Sequence, residues 1–583
     1  MDRNIFTIFN CLFCVLFLSS INIGLAKAEN ITNRVYNIFQ ANCTTSGCHS
    51  HADAIGNLDL EGGSNSPQQD AYANVFKVIP TNIGSQIEEK YIVYPGQPYK
   101  STLFTYIGSE ENGNITLNDL EDENDLHKNL DISPLDKEMI RQWIFNGAKT
   151  YDEGVDTELI EEFYNGQGIW SIDPLNAPEK PAASEGFQIR IGPIFVPASD
   201  IVGGNLTDVI YDVRHDLLND NNIEFDRIVA SIGSSHHFDI FEYANTEMAQ
   251  EEPYGLVEDK LHNNTNTVCI FTQSTDYNLP QGSAMYWKEQ IILDLQTHII
   301  NYSDEFILAQ DVYLNIYTQP EGTASQELKF KNYGKTDINV PINVENYEEE
   351  ISIFLENAAQ PNIYVWGIGS HTHSHGQDFD IWLRNPDGSK GEHIYDASNY
   401  NGVPECEFIG YSYETPPIRT FDYPFIYINM EHGVISQAKY FNDLDEPIIF
   451  GSNTTTQEML GTGFFYVTDT TGVSFNEGSL CYSDEINGIS TTEKIDKLSI
   501  NIFPNPIKQN AQINIASYFT GNIIGTLYDL NGKIIRQEKH FIPSNNEVHS
   551  FAFEKENLEN GMYLYEITDQ KGNRKVERLI ITQ

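Results

Sequence analysis

The chain has 583 residues, with 34 Lys+Arg against 84 Asp+Glu and a formal net charge of −50. A surface of that sign repels phosphate backbones and anionic lipid headgroups, which argues against nucleic acid or a negatively charged membrane face as partner. The length suffices for three or four domains of about 150 residues each, and 40% hydrophobic content, with Tyr and Phe at 32 each, supplies buried cores and favours strands over helices.

Residues 1–28 read as a secretory signal. Arg3 gives a charged start, residues 5–25 are mostly apolar, and Ala26-Lys27-Ala28 is a small-x-small cleavage site; an uncleaved anchor is the alternative. Cys11 and Cys14 fall inside this segment and leave with it. No other apolar run approaches the roughly 20 residues needed to span a bilayer, so no transmembrane segment is expected after signal removal. The mature protein is expected to be exported and either soluble or attached to the cell surface.

Residues 29–155 open on NCTTSGCHSH. Cys43 and Cys48, followed by His49, give a C-x-x-x-x-C-H spacing. Two thiols can form thioethers with haem vinyl groups while the adjacent imidazole ligates the iron; the alternative is a Cys43–Cys48 disulfide beside an unrelated histidine. YIVYPGQPYKSTLF and ISPLDKEMIRQWIFNGA resemble bacterial cytochrome c domains that end in a WI-x-x-GA helix. The resemblance implies one covalently bound c-type haem. For the second axial position the sequence offers His127 in DLHKNLDISP, where relatives carry Met-Pro; Met139, inside the last helix, and an open position are the alternatives. Residues 156–185 drift into a Pro/Ala-rich linker.

From Phe187 the pattern becomes all-β. FQIRIGPIFVPA, RIVASIG, TVCIFTQ, QIILDLQTHIINY and DVYLNIYT form one set of short alternating runs; NVPINV, NIYVWGIGSHTHSH, DFDIWLRNPDG, QAKYFN, PIIFGS and TGFFYVTD form a second. The spacing fits a mainly β protein with two tandem antiparallel, jelly-roll-like sandwiches over 186–335 and 336–487, after a small α-helical domain and before a small β-sandwich.

Four clusters in the sandwiches carry chemistry. His371 and His373 lie two apart in SHTHSHG, on one face of a strand, and can reach one metal ion. Imidazole suits Zn, Cu, Fe or Ni. His236-His237 in SSHHFDIF are adjacent, so they face one metal only where the strand ends or bulges, which the Gly233-Ser234-Ser235 lead-in permits. His298 lies in LDLQTHIINY and Met459 in TTTQEMLGTGFFYV; a thioether is a soft ligand that favours Cu(I) over zinc. In order, with gaps of about 60, 75 and 85 residues, these clusters resemble the copper type II, ascorbate-dependent monooxygenases, the family of peptidylglycine α-hydroxylating monooxygenase and dopamine β-monooxygenase. The resemblance covers residues 186–485. It implies two copper ions, one on His236, His237 and His298 that stores and delivers an electron, and one on His371, His373 and Met459 where O2 is reduced and a substrate C–H bond hydroxylated. His375 is expected beside the site or on the surface. The peptide-amidating enzymes clamp a substrate carboxylate at positions that here read Gly369, Gly461 and Gly463, so a C-terminal glycine peptide is not the expected substrate. The electron donor is expected to be ascorbate or a redox protein, with the haem domain as a possible entry. A non-catalytic exported copper- or haem-binding protein, and an adhesin with incidental histidines, are the competing readings.

Three cysteines remain, Cys269, Cys406 and Cys481, giving at most one intramolecular disulfide and one free thiol. Cys481 falls where the related enzymes have a disulfide cysteine; its partner is Cys406 or Cys269. Residues 490–583 carry Pro504-Asn505-Pro506 after a strand, a Leu-Tyr-Asp-Leu-Asn-Gly turn, a Gly-x-Tyr strand and a basic final hairpin. This resembles the type A sorting domain of type IX secretion and implies the type IX machinery as partner and a secreted or cell-surface destination.

Overall fold

The computed structural model describes residues 30–581 apart from 108–126, 171–177, 355–361, 399–410, 475–497 and shorter stretches of one to five residues. The expected signal segment, Cys406, Cys481 and Pro504-Asn505-Pro506 lie outside the described residues.

The N-terminal module is helical because its apolar residues recur at helical spacing. In α1 (Ile31–Asn42), Ile31, Val35, Ile38 and Phe39 fall on one buried stripe, and the Asn30 side chain caps the helix by accepting from the Asn33 N–H at 2.8 Å. The expected C-terminal helix is α2 (Pro134–Phe145), with Pro134 in its first turn and Ser133 as N-cap. Met139, Ile140, Trp143 and Ile144 bury against α1. Met139 is thus core packing.

The stretch read as a linker is ordered in its first half. Helix α3 (Thr157–Tyr164) starts on an Asp156 cap and packs Phe163 against Phe195 and Phe306 of the first sandwich. Ile169–Trp170 then pair in parallel with Ile307–Leu308. Apolar residues at helical spacing won over the Pro/Ala composition that follows them.

The rest is mainly β. The first sandwich joins a six-stranded sheet to a five-stranded one. Three strands of the latter carry the argument: β1 (Thr207–Asp216), β2 (Ser235–Tyr243) and β3 (Ile292–Asn301), with β3 antiparallel between the other two. One side of this sheet is apolar: Tyr211, Val213, Phe238, Ile240, Leu293, Leu295 and Ile299 enter the core between the sheets. The alternate positions, Asp208, Asp212, Arg214, His237, Asp239, Asp294, Gln296 and His298, are polar and yet buried. The sheet is covered on both faces.

The second sandwich pairs a five-stranded and a four-stranded sheet. In the former, β4 (Ile363–His371) lies against β6 (Gly461–Val467); in the latter, β5 (Gly376–Arg384) lies next to Val434–Asn442. Trp366, Phe465, Val467 and Val473 from this unit share one core with the first sandwich, so the two are fused by apolar burial. The C-terminal unit has a three- and a four-stranded sheet and ends on β7 (Arg574–Ile581), which turns Leu579 and Ile581 into its own core. Among the described residues no helix is long and apolar enough to cross a membrane.

Candidate metal centre

The five histidines from three separate sequence clusters converge at the seam of the two sandwiches. Ring centroids lie 5.7 Å apart for His236–His371, 5.2 Å for His237–His371, 4.8 Å for His237–His298, 6.4 Å for His298–His373 and 5.3 Å for His371–His373. The two sets lie on different sheets, and their rings form one cluster.

His236 and His237 both reach it through a bulge. His298 pairs with His237 and Ile299 with Ser235, so the ladder skips His236. That extra residue turns two adjacent imidazoles to one side. Gly233, at φ +49, begins the approach.

Carboxylates fix two of the rings. His298 Nε2 donates to Asp208 Oδ1 at 2.5 Å, and His237 Nδ1 donates to Asp239 Oδ1 at 3.2 Å. An ionised carboxylate only accepts, so each of these nitrogens carries the hydrogen. The remaining nitrogens, His298 Nδ1 and His237 Nε2, are then both lone pairs, and they face each other at 3.0 Å. Two lone pairs at that distance repel unless a proton or a metal cation lies between them, and the second case is the environment of paired metal ligands. His373 is held similarly: its Nδ1 donates to the Gln457 carbonyl at 3.1 Å and leaves Nε2 buried without a hydrogen-bond partner. His236 Nε2 and both ring nitrogens of His371 are also buried without one. Burial, reinforced by neighbouring imidazoles, pushes His236 and His371 far below the usual histidine range and His373 down to about 3. Neutral imidazoles with unused lone pairs are the protonation state that metal binding requires.

Glu458 ties the second set together, and its role was not read from the sequence. Its buried carboxylate accepts from the backbone N–H of His373 at 2.8 Å and of Met459 at 3.1 Å through Oε2, and from that of His375 at 2.8 Å through Oε1. One oxygen therefore spaces His373 from Met459. Burial lifts this carboxyl to about 8 against the pull of those donors. Gly376 closes the SHTHSHG turn; a Cβ there would meet Thr372 Oγ1 at 2.1 Å. His375 points away from the cluster toward Asp443, at 3.6 Å. Asp208 also accepts from the Thr454 N–H at 2.5 Å, so the residue that orients His298 also grips the loop leading to Met459. The signals were local: Asp239 follows His237 by two, on the same face, and Glu458 is a lone acid before the Met.

In the N-terminal module Cys43 and Cys48 are free thiols on one loop, and burial raises Cys43 to about 12. His49 Nδ1 donates to the carbonyls of Ile55 and Leu58 at 3.1 and 3.2 Å, which turns Nε2 outward. The ring of His127 stands 5.9 Å from that of His49, centroid to centroid, with 20° between their planes.

Other titratable clusters are already satisfied or exposed. Asp212, His262 and Asp294 bring ligand atoms within 4.8 Å of one another, but the Lys260 ammonium, 2.8 Å from Asp294, supplies the cation. Asp380, His393 and Asp396 form a similar group nearer the surface. Cys269 is a free thiol in the first core.

No curated protein matches the sequence. Similar solved structures include β-glucuronidase of Ruminococcus gnavus without ligand (11% identity, TM-score 0.12, covering 40% of this chain and 35% of that one). The same enzyme with uronic isofagomine gives 10% identity, TM-score 0.12, and coverage of 40% and 34%. The chain spans about a third of the length of those structures, and a likeness that slight carries no argument about fold or chemistry. Residues 501–582, by contrast, match the family described as the secretion system C-terminal sorting domain. The protein is therefore carried by type IX secretion to the cell surface or beyond.

Proposed function

We propose that the chain is an exported copper-dependent monooxygenase that uses O2 to hydroxylate a C–H bond of an organic substrate, its electrons entering through the N-terminal module. The observation that carries this reading is the convergence of buried imidazoles from both sandwiches, several with ring nitrogens that have no hydrogen-bond partner. The net reaction takes RH, O2, two electrons and two protons to ROH and water. Copper bound there would supply one-electron redox cycling and a position for O2.

The chain's own residues do the rest. His236, His237 and His298 would hold one ion and His371, His373 and Met459 the other. Asp208 and Asp239 keep the hydrogens of His298 and His237 on the outer nitrogens. Glu458 keeps Met459 in register with His373. Cys43 and Cys48 would anchor the haem, and His49 and His127 would supply imidazoles to its iron. At the positions where the peptide-amidating enzymes clamp a carboxylate, a Cβ on Gly369 would meet Ile418 at 3.2 Å and one on Gly463 would meet Phe330 at 2.8 Å. Those places are filled by protein, which favours a substrate without a terminal carboxylate.

The test is copper content of the purified full chain with its haem spectrum, followed by oxygen consumption with ascorbate or a protein donor. The reading expects two coppers and one haem per chain, loss of Cu(I) affinity in Met459→Ala, and retention of ascorbate-driven turnover in Cys43→Ser/Cys48→Ser. One zinc, or no metal, overturns it. The close approach of Tyr413 to His236, 5.9 Å between rings, favours as second reading a closed, non-catalytic copper site, which predicts bound copper without oxygen consumption.

A further inference from the structure

The C-terminal unit touches the histidine centre's surroundings at two separate places. Arg578, on the outward face of β7, lies 3.6 Å from Glu414. Glu414 in turn accepts from the hydroxyls of Tyr302 at 3.3 Å and Tyr413 at 3.5 Å. Tyr413 is the residue whose ring stands against His236. At the second place Lys508 donates to Asp443 at 3.1 Å, and the other oxygen of Asp443 faces His375, the last histidine of the SHTHSHG turn. A bridge between Ile507 and Ile581 fixes Lys508 beside the end of β7, so both contacts come from one side of one domain. One reaches the tyrosine that stands against His236, the other reaches His375, two residues past His373.

We propose that the sorting domain is a removable clamp on this centre, holding the Tyr413–Glu414 segment against His236 and the SHTHSHG turn against Asp443 until the domain leaves. The contacts are of the kind that can be undone. Both ion pairs have partly exposed members: side-chain exposures are 35% for Arg578, 50% for Lys508 and 46% for Asp443. Glu414 is the exception at 13%, and when the arginine departs its carboxylate loses the cation that offsets its burial beside Tyr302 and Tyr413. No residue of the centre loses a ligand when the domain goes; only its cover changes. Chemistry at the histidines would thus be held back during export and released with the sorting segment.

The inference rests on the metal reading for its consequence, and its test lets the two fail separately. A protease site is placed between residues 485 and 490 of the full chain, and the metal-free protein is treated with diethyl pyrocarbonate before and after cutting. Modification of His236, His371 and His375 is followed by mass spectrometry. Cutting and release should raise those rates at least tenfold and leave His262 unchanged. Arg578→Glu with Lys508→Glu should produce the same rise in the uncut chain. Lys539→Glu, on the opposite edge strand of the same sheet (Ile534–Ile542), should not. Equal rates before and after release, or no rise in the double variant, overturn the clamp. Added copper should protect His236 and His371 in the cut chain; a rise on cutting without that protection overturns the metal reading and leaves the clamp standing.

Discussion

The two ends of the chain meet the histidine-bearing core through junctions of opposite character. At the N-terminal junction the partners are buried and multiply bonded. Arg214, with its side chain 2% exposed, grips Asp216 through two nitrogens at 2.6 and 3.0 Å, and Tyr94 of the helical module donates to the same carboxylate at 2.6 Å. Arg141 of α2, 3% exposed, holds Glu138 and donates to the carbonyls of Gly192 and Pro193 at 2.9 and 2.7 Å. The backbones touch as well: a Cβ on Gly147, at φ +95, would lie 2.6 Å from the Tyr254 carbonyl. At the C-terminal junction, among the described residues, two ion pairs with partly exposed members join the units. The difference teaches that the helical module is a permanent part of the core and the sorting domain a passenger.

The largest effect that would break this comparison is expected at Asp216. Asp216→Ala leaves the Arg214 guanidinium and the Tyr94 hydroxyl buried without their acceptor, and removing one partner of a buried pair costs about 3–5 kcal/mol. Denaturant unfolding should show that loss, with early proteolysis at the module's edge. A loss below about 1 kcal/mol would mean the junction is no tighter than a surface contact. The same carboxylate gives the junction a pH edge. Burial raises Asp216, but Arg214 and Tyr94 outweigh it and hold it below its ordinary 3.8. A depressed carboxyl contributes stability at neutral pH that is lost as pH falls from the ordinary value toward the lower folded one. Release of the module should therefore begin only below about pH 3.8, and Asp216→Asn should flatten that step.

The next effect lies within the centre. Glu458→Gln keeps the size but replaces one accepting oxygen with an amide that donates, so at least one N–H among His373, His375 and Met459 loses its acceptor. Groups that orient metal ligands are worth about 10–100-fold in affinity. Copper affinity at the His371, His373 and Met459 set should fall by that factor while the His236, His237 and His298 set keeps its own. Equal loss at both would show that the two ligand sets act as one site.

Much of this was legible in the residues. The strands around the histidines, the helix over 134–145 and the need for an irregularity at His236-His237 all follow from local pattern, and the structure supplies the bulge at His236. What local pattern does not carry is which strand faces are buried. Asp208, Asp212, Asp294 and Gln296 alternate with apolar residues as solvent-facing positions do, yet that face lies under other parts of the chain. Nor does it carry the meeting of the two histidine sets. That depends on Trp366 and Phe465 entering the first sandwich's core and on Asp208 reaching Thr454, 246 residues away in sequence.

The smallest effect separates the junctions most cleanly. Screening acts on exposed charges over a Debye length of about 8 Å at 0.15 M salt and about 3 Å at 1 M, and much less on buried ones. Raising the salt of the uncut chain to 1 M should weaken Arg578–Glu414 and Lys508–Asp443, each worth at most about 1 kcal/mol. The consequence is a severalfold rise in His236 and His371 modification. Over the same range, protection of the Tyr94–Asp216 junction in amide hydrogen exchange should hold, because Arg214 and Tyr94 meet Asp216 out of reach of ions. If salt loosens both junctions alike, the N-terminal contact is as exposed in solution as the C-terminal one, and the helical module is as detachable as the sorting domain.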